Sequence, residues 1–130
     1  LDMRNAQLRA AKRARRLRFE RLVGQALKGL PREIHDQLDN VEFIVKDEPD
    51  LDDCAPDEDL FGLYTGTPLH DRGSGYTMSV PDVITLFRGP LERAFPDRDE
   101  LRAEIRVTLL HEIAHHLGID EDRVAALGLA

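Results

Sequence analysis

Residues 111–118 read HEIAHHLG, and the chain goes on through Ile119 to three consecutive acids, Asp120, Glu121 and Asp122. His111 and His115 are four apart, so on a helix their imidazoles share one face, about 6 Å from each other, and can grip one metal ion through ring nitrogens. Glu112 lies about 100° further round, beside such an ion rather than on it. A carboxylate there can take a proton from an activated water as that water attacks a carbonyl, and later hand it to the leaving amine. Imidazole nitrogens with a carboxylate suit zinc. With five histidines in the chain, HExxH followed by Gly at the eighth position would arise by coincidence only about once in a thousand such sequences.

Zinc needs a third protein ligand. Gly118 stands where a helix C-terminus favours a left-handed residue, so the backbone can leave the helix sharply. Glu121, three residues on, is then carried round to face His111 and His115, and is the expected third ligand with Asp120 in reserve. His116 points about 100° away from His115 and is expected to support the site from outside or lie at the surface rather than bind metal. Tyr64, Tyr76, His70 and Arg88 are undifferentiated candidates for stabilising a tetrahedral oxyanion. Substrate-binding residues stay unassigned.

The elements that must position these groups follow from periodicity. Phe19, Leu22, Val23, Ala26, Leu27 and Leu30 form one apolar stripe of an amphipathic helix, ended by Pro31. PREIHDQL then makes a short helical turn with Ile34 and Leu38 inward. VEFIVK, residues 41–46, is expected as a strand, as are LFGLYTG, residues 60–66, and DVITLFRG, residues 82–89. Of these, residues 60–65 are expected to form the sheet edge, with the other two strands more central and Gly62 open to a partner backbone. A short helix is expected after Pro90. The last long helix is capped by Asp97 or Asp99 and buries Leu101, Ile105, Leu109, Ile113 and Leu117. At 130 residues this makes one compact α+β domain, which we delimit as 19–130, preceded by a basic helical arm at 1–18.

HEIAHHLGIDE resembles the HExxHxxGxxD motif of the Asp-zincins, metallopeptidases whose zinc is held by two histidines and a following aspartate; Glu121 stands in the aspartate's place. ITLFRGPLERAF, residues 84–95, and RVTLLHEIAHHLGIDEDRVAALG, residues 106–128, look more narrowly like a family of small bacterial zincin-like metallopeptidase domains. The resemblance implies a minimal zincin-like fold: a small mixed three-stranded sheet, a backing helix, and an active-site helix below the edge strand. It also implies zinc on His111, His115 and Glu121, Glu112 as general base, and hydrolysis of a peptide or protein substrate. Met3 and Met78 both precede the motif, so the methionine turn of metzincins is absent. Many family members end in an aromatic residue where this chain has Leu129.

The net charge of −7 hides an uneven distribution. Residues 4–21 carry eight bases and one acid, whereas residues 33–59 carry twelve acids and one base, Lys46. The arm reads first as a solvated helix extension. The alternative to an enzyme is a non-catalytic zincin-fold binding module whose arm recruits a protein or nucleic acid, with nucleic acid the less favoured partner. No apolar run suggests a membrane span and no leader is visible, so no membrane partner is expected. A single cysteine, Cys54, fits a reducing cytoplasm. Oligomeric state is left open, a homodimer included.

Overall fold

The structure is a computed structural model and describes residues 3–50, 60–66, 81–118 and Asp122. Its elements in order are α1 (Met3–Lys28), α2 (Arg32–His35), β1 (Val41–Lys46), β2 (Gly62–Thr65), β3 (Asp82–Phe87), α3 (Arg88–Ala94) and α4 (Arg98–Leu117). The first buried side chain of α1 is Phe19, followed by Leu22 and Val23 on the stripe that backs α4. Everything N-terminal to Phe19 on this helix is exposed or only half-buried. Pro31, extended at ψ 149°, separates α1 from α2, and Ile34 faces the core.

α4 carries its start and stop signals in the sequence. The Asp97 carboxylate accepts from the Glu100 N–H at 3.0 Å, with Asp99 and Glu100 in the first turn where the helix dipole favours acids. Gly118 closes the helix at φ 73°, a left-handed conformation that costs a glycine little. Between them Ile105, Leu109 and Ile113 are fully buried, in one cluster with Phe19, Leu22, Ile84, Leu86 and Leu91. Among the described residues no helix is long and apolar enough to cross a membrane.

The three strands are ordered β1-β3-β2, β1 parallel and β2 antiparallel to β3. β3 is therefore central, and its nearly continuous burial reflects cover on both faces. The mixed three-stranded sheet with helices is the expected α+β zincin-like arrangement. β2 is an edge of the described sheet as expected, but β1, expected to be more central, is the other edge: the chain leaves β1, forms β2, and returns between them. β3 also ends two residues earlier than expected. Helix α3 starts at Arg88, which places Pro90 in its first turn, where a missing N–H leaves no helical bond unmade.

Gly62 is where the sheet meets the functional helix. A Cβ on it would lie 2.7 Å from Thr108 Cγ2 and 3.2 Å from Glu112 Cγ. On this face of the sheet the close approach it permits is to this chain's own α4. Gly62→Ala is expected to destabilise the fold by about 1–3 kcal/mol through overpacking, read as a lower urea midpoint with an unchanged m-value. A midpoint equal to the parent's would mean that β2 does not press on Glu112.

Candidate metal centre

The last two turns of α4 sort their side chains by angle. Leu109, Ile113 and His116 fall on the buried stripe, Glu112 on its shoulder, and His111 and His115 beyond it towards solvent. The His111 and His115 side chains are accordingly 43% and 51% exposed, and that of Glu112 is 7% exposed beneath β2. The two imidazoles stand edge to face with centroids 4.6 Å apart. Glu112 Oε1 is 3.2 Å from His115 Nδ1, and Oε2 is 3.9 Å from His111 Nε2. One ligand atom from each of these three residues lies within 4.8 Å of the other two, close enough to surround a single cation. A buried carboxylate is costly without a compensating partner, and two nitrogen donors with one oxygen donor match the preferences of zinc.

Glu121 and Asp120, the expected third ligand and its reserve, lie outside the described residues, as do His70, Tyr76 and Cys54. Gly118 donates its N–H to the His115 carbonyl at 3.1 Å and caps α4 directly after Leu117.

The two described oxyanion candidates are already engaged. Tyr64 donates its hydroxyl to Asp82 Oδ2 at 2.8 Å. Arg88, its side chain 12% exposed, donates Nε to Asp47 Oδ1 and one terminal nitrogen to Glu92 Oε1, each at 2.9 Å. Burial pulls the Arg88 guanidinium down, but the hydrogen bonds it donates to Glu92 and Asp47 outweigh it and hold it above its ordinary value. The hydrogen bond from Arg88 in turn holds the Asp47 carboxyl below its ordinary 3.8. A depressed carboxylate contributes stability that is present above its unfolded value and lost as pH falls through the folded one. Asp47→Asn is therefore expected to cost on the order of 1 kcal/mol at pH 7, with the gap to the parent closing progressively as pH drops below about 4. Urea midpoints across that range test it; a gap that is constant with pH would remove Asp47 from the ion pair.

His116 is the residue whose setting the sequence left open between outer support and surface. It is 2% exposed, with Nδ1 2.6 Å from Asp82 Oδ2 and Nε2 3.1 Å from the Gln37 carbonyl oxygen. Its burial was legible, since it follows Leu109 by seven residues, two helical turns along the apolar stripe. Asp82 was missed: it is 2% exposed at the first position of the central strand, and only its place before an apolar run marked it as an acid in need of a partner.

Residues 38–129 match the model of a family described as zincin-like metallopeptidase. No curated protein matches the chain. Among solved structures it is similar to a conserved hypothetical protein from Thermo thermophilus, with a TM-score of 0.52 and 22% identity over 84% of this chain and 95% of that one. That likeness supports the fold.

Proposed function

Because the chain belongs to the zincin-like metallopeptidase family, we propose that it is a zinc-dependent peptidase in which His111, His115 and Glu121 hold the metal and Glu112 is the general base. The observation that carries this reading is the convergence of two exposed imidazoles and one buried carboxylate on the face of α4 below an edge strand. Bound zinc would supply the Lewis acidity that makes water a nucleophile near neutral pH. Glu112 takes a proton from the attacking water as the new C–O bond forms. It gives that proton to the departing amine nitrogen as the C–N bond breaks. Its burial beneath β2 keeps the carboxylate in one orientation, and the exposure of both histidines leaves the outer side open to a substrate.

The substrate class that fits is an extended peptide laid along the edge of β2, where main-chain hydrogen bonds can hold it over the histidines. Crystals soaked with a hydroxamate peptide are expected to show ligand paired along residues 60–65; ligand on any other strand, or none near the metal, would refute this. The single cysteine supports a cytoplasmic setting.

The third ligand is tested by substitution. Glu121→Ala is expected to weaken zinc binding by about 100-fold or more while Asp120→Ala stays near the parent, in line with losing one of few protein ligands. The reverse pattern would move the assignment to Asp120. Function itself is tested by incubating the zinc-loaded protein with a peptide library and reading cleavage by mass spectrometry. Cleavage that disappears with Glu112→Gln supports the enzyme. Peptide binding without cleavage in the zinc-loaded parent favours the non-catalytic module, whose docking element would be the exposed basic stretch of α1.

A further inference from the structure

His116 and Asp82 are two of the most deeply buried polar groups in the described chain, and they meet one residue beyond His115. The Gln37 carbonyl oxygen can only accept, so it engages His116 at Nε2, while Nδ1 is engaged by Asp82 Oδ2 at 2.6 Å. Asp82 Oδ2 also accepts from Tyr64, whose ring stands edge to face with His116 at 5.9 Å. One imidazole thereby ties the last turn of α4 to three separate segments: the exit of α2 at Gln37, the start of β3 at Asp82 and the edge strand β2 at Tyr64. A ring bonded at both nitrogens has one position that satisfies both. Gly66 packs against Asp82 so closely that a Cβ there would clash with its carboxylate, which closes the fourth side.

Buried polar pairs of this kind are weak devices for stability, because apolar residues of similar volume usually serve as well. Their strength is geometric. Resting on the metal-centre reading above, we infer that His116 and Asp82 are positioning residues, with Tyr64 orienting the Asp82 carboxylate. They fix the rotation of the terminal turn of α4, so that the His115 imidazole is held in register with His111. Supports of metal ligands commonly change metal affinity by ten to a hundredfold when removed.

The test compares Asp82→Asn, His116→Gln and Tyr64→Phe with the parent by three measurements on the full chain: zinc Kd by chelator competition, the visible absorption bands of the Co²⁺ form, and the melting temperature without metal. Asp82→Asn and His116→Gln are expected to raise the zinc Kd by about tenfold or more and to shift the Co²⁺ bands. Tyr64→Phe is expected to move both in the same direction by a few-fold at most. These changes should not scale with metal-free melting temperature. If His116→Gln does not fold, the other two decide, since one is nearly isosteric and the other removes a single hydroxyl. Zinc Kd values within twofold of the parent with the parental Co²⁺ spectrum would overturn the inference even if melting temperatures fall, because the pair would then serve the fold alone. A parent that binds neither metal overturns the metal-centre reading, and this inference with it.

Discussion

Glu112→Gln is expected to keep the parent's zinc content and to lower peptide hydrolysis by about 10²–10⁴-fold, the usual contribution of a positioned general base. The carboxylate is 7% exposed and packed under Gly62. An amide of the same length fills that space and can still hydrogen bond to His115, so the helix face and both imidazoles should stay in place. What the amide lacks is an oxygen that can take and return a proton. The loss should therefore fall on kcat more than on KM, because proton transfer occurs only along the reaction coordinate. Hydrolysis by the variant equal to that of the parent would remove Glu112 from the chemistry. Loss of zinc with hydrolysis would instead make Glu112 a ligand, as its place in the three-residue cluster would allow.

His111→Ala should abolish the stabilisation that zinc brings while leaving the metal-free protein almost as stable as the parent. The His111 side chain is 43% exposed, so its removal opens no cavity, and surface substitutions of this kind usually change stability by no more than about 0.5 kcal/mol. Metal binding adds stability by mass action, about 2.7 kcal/mol when free zinc is a hundred times the Kd. For a domain of this size that corresponds to a rise of roughly 10 °C in melting temperature. The parent should show this rise on zinc addition and lose it to a chelator, whereas His111→Ala should melt at one temperature in both. A variant that still gains the full increment would place the metal elsewhere.

How much of this was legible in the sequence depended on how local each determinant is. α4 could be read almost to the residue, because its cap at Asp97, its apolar stripe and its Gly118 stop are all encoded within a few positions of where they act. The spacing of His111 and His115 likewise needed nothing but helical geometry. Strand identity was readable but strand order was not. VEFIVK matched β1 over its whole length, yet its place at an edge depends on the path taken between β1 and β3, which no residue of the strand records. The contact of Gly62 with α4 was hidden for the same reason: a glycine in a strand signals close approach, but only the packing of β2 on Thr108 and Glu112 shows this neighbour. Asp82 stayed hidden because its partners lie 18 and 34 residues away, and an acid at a strand start looks like an ordinary loop boundary until the fold closes over it.

The most direct test of the metal centre is elemental analysis of the purified full chain and its His111→Ala variant, both equilibrated with excess zinc and then freed of unbound metal. One zinc per chain in the parent and essentially none in the variant is the expected result. No zinc in the parent, or the same stoichiometry in both proteins, would contradict a zinc centre built on His111 and His115.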